Sequence, residues 1–264
     1  MKNLTLIFSF LIFISAGFAQ KPPKLQGFFP YKGQNIEADQ VGNLYITNNE
    51  EIIQINQKGE ELNRYSNKQL GKISYLDISS SLKPLVFYQN LSQIIFLDNR
   101  LYPRTEKISL EQIGFPQATL VCASYMNGLW IFDQVDISIT RLDRNGEETA
   151  KVINLNQLLG IEINPIFMME KYNKLYLYDK NYGIFVFDVY GNFAKKLPIL
   201  GLEKFKISNN LIYYPAKNEV ILYDQVGLVE TKLPLPISNP LDVYLSGNKI
   251  WILHTTGLYH YLFE

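Results

Sequence analysis

Apolar positions along the chain fall in short runs broken by Gly, Asn and Asp, and no helical period lasts longer than about two turns. One strand-like segment recurs six times: Leu44-Tyr45-Ile46, Leu85-Val86-Phe87, Leu129-Trp130-Ile131, Leu175-Tyr176-Leu177, Leu211-Ile212-Tyr213 and Ile250-Trp251-Ile252. Successive copies are 36 to 46 residues apart. Turn formers precede four of them, at Gly42-Asn43, Asn127-Gly128, Asn173-Lys174 and Gly247-Asn248. A second segment follows each of the first five copies and ends in Asx, at Asn56, Asp98, Asp143, Asp188 and Asp224. Three residues on stand Gly59, Gly146, Gly191 and Gly227, with Leu101 in the second repeat. Asx first and Gly fourth is type I hairpin chemistry, with the Asx side chain capping the turn and Gly left-handed. Leu101 therefore predicts a longer or differently shaped turn in the second repeat.

Adding a strand before and a strand after these two makes each unit four short antiparallel strands. Such a unit, repeating at about 40–45 residues, is a β-propeller blade. The expected fold is all-β: a six-bladed β-propeller of four-stranded blades. The last unit lacks a fourth strand before Glu264, while Leu25-Gln26-Gly27-Phe28-Phe29 has no partner of its own. That N-terminal strand is expected to complete the last blade and remove an open edge.

The first unit, residues 38–48 with 55–59, resembles the NHL-type six-bladed propeller repeat. The whole is similar to an uncharacterised family of small secreted bacterial β-propeller proteins, on residues 66–73, 85–88, 96–99 and 156–161. The resemblance implies the fold and brings no activity with it.

The N-terminus changes the address rather than the fold. Lys2, an apolar run from Leu4 and small residues at Gly17 and Ala19 read as a secretory signal over residues 1–19. Residues 20–24 then form a linker and 25–264 the propeller domain. No second run reaches the roughly 20 apolar residues of a membrane span, so the exported chain is expected to be periplasmic or extracellular, and a monomer. Lys and Arg number 25, as do Asp and Glu, so no basic field attracts nucleic acid. Cys122, the one cysteine, lies in an apolar stretch and reads as a buried, inert thiol.

Candidate chemistry lies on loops. In a propeller, the loops from second to third strand share a face with the inter-blade loops, around the channel mouth. Asn48, Gln89, Asp133, Asp179, Pro215 and His254 follow the second strands. With Tyr88 and Tyr182, the polar members of this ring are the candidate ligand contacts, competing with an ordinary role as turn residues. Leu70-Gly71, Ile113-Gly114, Leu159-Gly160 and Leu200-Gly201 seal blade tops or form an apolar rim, and short helical turns fit residues 109–113 and 154–159. The favoured function is a binding or assembly module for an envelope protein or glycan, with no cofactor. The alternative is a calcium-dependent lactonase or esterase. Its oxygen ligands would be Glu37, Asp39, Asp77, Glu170 and Asp242, with Lys206 replacing an acid in the fifth blade. Neither His254 nor His260 has an acidic neighbour to make a catalytic dyad.

Overall fold

The computed structural model describes residues 22–104 and 107–263; the signal segment expected over residues 1–19 lies outside them. A single strand, β1 (Lys24–Phe29), comes first. The first blade is β2 (Asn35–Ala38), β3 (Leu44–Thr47), β4 (Glu51–Ile55) and β5 (Glu61–Ser66). The second is β6 (Tyr75–Asp77), β7 (Leu85–Tyr88), β8 (Gln93–Phe96) and β9 (Ile108–Ser109). The third is β10 (Ala118–Ser124), β11 (Gly128–Asp133), β12 (Ser138–Leu142) and β13 (Glu148–Val152). A short helix, α1 (Leu155–Leu159), leads into the fourth: β14 (Phe167–Lys171), β15 (Lys174–Asp179), β16 (Gly183–Asp188) and β17 (Phe193–Leu197). The fifth is β18 (Lys206–Ser208), β19 (Leu211–Pro215), β20 (Glu219–Asp224) and β21 (Val229–Pro234). The sixth sheet holds β22 (Asp242–Ser246), β23 (Lys249–His254) and β24 (Gly257–Leu262), with β1 as its fourth strand, antiparallel to β24.

The repeated apolar segments become the second and third strands for a packing reason. β3 and β7 are buried at every position, and β11 is buried throughout. A strand covered on both faces reads as a continuous apolar run. The outermost strands, such as β13 and β21, are largely exposed and polar.

Six apolar clusters lie between neighbouring blades, one at each seam. The seam between the sixth and first blades packs Trp251, Leu253 and Leu258 against Ile36, Leu44, Ile46 and Ile53. β1 also reaches across this seam. The Phe29 ring lies 5.9 Å from that of Trp251 and covers Gly59, where a Cβ would come within 1.9 Å of it. The Tyr31 hydroxyl donates to the Gly59 carbonyl at 3.1 Å. Cys122 is fully buried, and burial pushes its thiol well above its ordinary range.

Two turn expectations are corrected. Leu101 does not lengthen its turn; it takes the left-handed conformation itself, with φ 64°, close to the 82° to 85° of Gly59, Gly146 and Gly191. The Asp98 amide donates to the Tyr102 carbonyl at 2.8 Å, repeating the bond from Asn56 to Glu60. Leu101 tolerates this backbone because its side chain is only 2% exposed, within the apolar seam of the first two blades. In the fifth blade Leu228, not Gly227, is left-handed, because its amide reaches back to the Asp224 carbonyl in a wider turn. Of the two expected helical turns, one forms as α1; over residues 109–113, Ser109 ends β9 and residues 110–113 hold turns. The apolar–Gly pairs divide: Leu70 is buried and Leu159 packs on a seam, whereas Ile113 and Leu200 are exposed.

The Leu101 geometry predicts an inverted substitution order. Leu101→Ala loses buried methyl groups, a cost of about 2–5 kcal/mol, and keeps the backbone strain. Leu101→Gly loses the same contacts but relieves about 1 kcal/mol of strain. Urea unfolding should rank the Gly variant above the Ala variant. The opposite ranking would contradict the assignment.

Candidate functional site

The innermost strands β2, β6, β10, β14, β18 and β22 surround the channel. Tyr75 from β6 and Phe167 from β14 meet edge-on across it at 5.8 Å, and Phe205 packs on Phe167 at 5.1 Å. These rings divide the channel into two cups. The larger, about 250 Å³, opens on the face of the first-to-second-strand hairpins and is lined by Glu37, Asp39, Asp77, Glu170, Lys206 and Tyr244 among others. A groove of about 530 Å³ adjoins it, sharing Gln40, Ser79 and Tyr172 and running past Leu82 and Met126. The smaller cup, about 90 Å³, lies on the opposite face beside Gln89. The main concavity is therefore not on the loop face expected from sequence.

The expected loop contacts separate by burial. Tyr88 is a correction: it is 1% exposed, with its hydroxyl donating to that of Tyr65 at 3.0 Å inside a seam. Asp133 and Asp179 are buried too. Asp133 accepts the Gln117 amide at 3.1 Å and the Val135 amide at 2.8 Å. Asp179 accepts the Asn164 amide at 2.6 Å and the Asn181 amide at 2.8 Å. Each thus ties its second-to-third-strand turn to the loop entering the same blade. Tyr182 packs on the seam of the third and fourth blades. Asn48 caps its own turn by accepting the Glu50 amide. Gln89 is exposed. The His254 Nδ1 sits 2.7 Å from the Thr256 hydroxyl. The structure does not gather these residues into one pocket.

The channel acids tell a different story. Asp242, 1% exposed, accepts amides from Ile36 at 2.9 Å and Val243 at 2.8 Å. The ammonium groups of Lys204 and Lys206 complete its coordination, Lys206 at 2.6 Å. It thereby joins the fifth, sixth and first blades. Burial would raise its carboxyl, but the two lysines outweigh that and hold it below the usual carboxylate range. Burial likewise pulls Lys206 down, while the Asp242 and Glu37 carboxylates raise it net. Lys204 falls below its ordinary value because desolvation exceeds the pull of Asp242.

Asp77 accepts the Ser79 amide and, across a seam, the Ala123 amide at 2.9 Å. Burial pushes its carboxyl up. Glu170 accepts the Ser124 hydroxyl at 2.5 Å, the Tyr125 amide at 2.9 Å and the Trp130 indole N–H at 2.7 Å, binding the fourth blade to the third. Asp39 accepts the Val41 and Asn43 amides and closes its own hairpin. Among the described residues Glu37 makes no hydrogen bond; it pairs instead with the Lys206 ammonium, 3.6 Å away. Burial raises the Glu37 carboxyl above its usual range.

A calcium site needs about six to eight oxygens turned towards the ion. These carboxylates face N–H, O–H and ammonium donors instead, and among the described residues no three acidic, His or Cys groups converge. The channel set does not fit calcium. Lys204 was not singled out from the sequence, although Lys204-Phe205-Lys206 heads an innermost strand where four of the other five blades bring an acid.

No family model and no curated protein matches the chain. Among solved structures it is similar to virginiamycin B lyase from Staphylococcus aureus, at 14% identity and TM-score 0.55 over 87% of this chain and 79% of that one. It is similar to BamB from Moraxella catarrhalis, at 13% identity and TM-score 0.52 over 87% and 82%. It is also similar to the extracellular domain of BT4673 from B. thetaiotaomicron, at 10% identity and TM-score 0.55 over 86% of this chain and 33% of that one. These likenesses show the fold. The chain is a six-bladed β-propeller, in which NHL-like repeats are a consistent description.

The Asp242 cluster makes a direct prediction. Asp242→Asn leaves Lys204 without its carboxylate partner and Lys206 with Glu37 alone, and should cost about 3–5 kcal/mol at neutral pH. Because the folded pKa of Asp242 is lowered, its stabilisation is present above the ordinary carboxylate range and is lost as pH falls through the folded value. Urea unfolding across acid pH should therefore fall less steeply in the variant. A variant as stable as the parent at neutral pH contradicts this role.

Proposed function

We propose that the chain is an exported β-propeller that serves as a binding or assembly module for a protein of the cell envelope, and that the hairpin face around the larger cup is its binding surface. One observation carries this reading. Exposed apolar side chains ring that mouth on successive hairpins: Val41 at 70%, Leu82 at 68%, Met126 at 70% and Tyr172 at 57%. Met126 and Tyr172 also have positive φ, 58° and 51°. A left-handed residue with a side chain costs about 1–2 kcal/mol, and Asn or Gly would fit both positions better. The Tyr172 hydroxyl at least accepts the Asn209 amide; the Met126 side chain offers no such return to the fold. Strain held at an exposed apolar tip marks a functional site.

Three of these four tips are aliphatic, which favours a protein partner over a glycan, although Tyr125 and Tyr172 also expose aromatic faces at this mouth. Export rests on the signal pattern of residues 1–19. The similar fold of the extracellular domain of BT4673 supports that setting. Among the described residues, no helix is long and apolar enough to cross a membrane. Asn48, Gln89 and His254 mark the opposite face, whose exposed apolar groups include Leu91 and Leu200.

Met126→Asn separates fold from function. It should raise stability by about 1 kcal/mol through relief of strain and weaken retention of envelope protein by the immobilised chain. Leu200→Asn should leave retention unchanged. Retention lost with Leu200 and kept with Met126 would move the binding surface to the other face, and retention of polysaccharide alone would replace the protein partner with a glycan.

A further inference from the structure

The larger cup has a chemical character of its own. Its lining carries four carboxylates, Glu37, Asp39, Asp77 and Glu170, against two ammonium groups, Lys171 and Lys206. Three of the carboxylates are held by donors of the fold, as described above. Just behind the wall Asp242 holds both Lys204 and Lys206, so its single charge offsets only one of the two ammonium groups. That leaves Glu37, on β2, facing the cup with the Lys206 ammonium 3.6 Å away and, among the described residues, no hydrogen bond to either oxygen. Tyr75, Tyr213 and Tyr244 line the same cup from three other blades. The Glu37 charge reaches all three rings and, after burial, contributes to holding each phenol above its ordinary value.

We propose that this cup binds a positively charged organic group, an alkylammonium or a guanidinium, seated on the Glu37 carboxylate among the rings of Tyr75, Tyr213 and Tyr244. A carboxylate supplies a charge-assisted acceptor and aromatic rings attract a cation. A hard metal ion would gain little from the rings and finds no converging oxygens. An anion would meet the surplus of carboxylates. At about 250 Å³ the cup holds a side chain or a small amine, below the range of about 300–1,000 Å³ of drug-sized sites. The group comes either from a free amine or from a Lys or Arg of the docked partner. In the second case the inference rests on the hairpin-face reading and deepens it, since cup and face share one mouth.

The test uses the mature chain and n-butylammonium chloride at fixed ionic strength. A ligand that binds only the folded state raises the melting temperature saturably. Butylammonium should do so, and n-butyrate and n-butanol should not. Glu37→Gln should weaken butylammonium binding about tenfold or more, as expected for a lost charge-assisted hydrogen bond, without lowering the unliganded melting temperature. Tyr244→Leu should weaken it independently. Equal shifts from butyrate, or unchanged affinity in Glu37→Gln, would overturn the proposal. If Glu37→Gln also lowers envelope retention, the bound group is a basic side chain of the partner; if retention holds while butylammonium binding falls, it is a free amine. Met126→Asn should leave butylammonium binding intact. Retention that depends on Met126 without any amine binding sinks this inference alone, and amine binding together with retention that does not depend on Met126 sinks the docking face alone.

Discussion

Each blade of this protein has two apolar faces, and neither can be left in water. A four-stranded sheet with its second and third strands buried at nearly every position needs a neighbour on both sides. Only a closed ring gives every blade two neighbours. The seam of Trp251, Leu253 and Leu258 with Ile36, Leu44 and Ile46 is therefore no different in kind from the other five. Burying an Ile, Leu or Phe side chain contributes about 1.5–3 kcal/mol, so each seam, with several such residues, outweighs any single turn or ion pair.

Closure by apolar seams leaves a narrow centre where innermost strands bring polar side chains together out of water. The fold answers with carboxylates that reach across seams. Asp77 takes an amide from the third blade, Glu170 takes three donors from the same blade, and Asp242 holds the fifth, sixth and first together. An unpaired buried N–H or ammonium would be costly, so these acids are part of the closure. Glu37 differs: among the described residues it is met only by the Lys206 ammonium at 3.6 Å.

The repeat, the blade count and the strand order were legible in the sequence because burial on both faces writes itself as short apolar runs at fixed spacing. Turn chemistry was legible where Gly carried it and misleading where Leu101 and Leu228 took the left-handed conformation, since no local rule announces a strained leucine. The site was less legible. Asp77, Glu170 and Asp242 were visible as acids on innermost strands, but their partners lie on other blades, up to 206 residues away for Asp242 and Ile36. Tyr88 looked like a loop tip by its position after a strand and is a seam residue by its neighbours. Which face carries the concavity depends on where Tyr75 and Phe167 meet across the channel, a contact between blades that strand spacing does not encode.

Under the proposed function the hairpin face, and not the opposite loop face, meets the partner. Hydroxyl-radical footprinting of the mature chain, alone and with envelope extract, tests it directly, since Met and Tyr are reactive and mark both the mouth and its rim. Extract should suppress oxidation of Met126, Tyr125 and Tyr172 and leave Leu91, Leu200 and His254 unchanged. Suppression at Leu91, Leu200 and His254 with Met126 fully oxidised would contradict it.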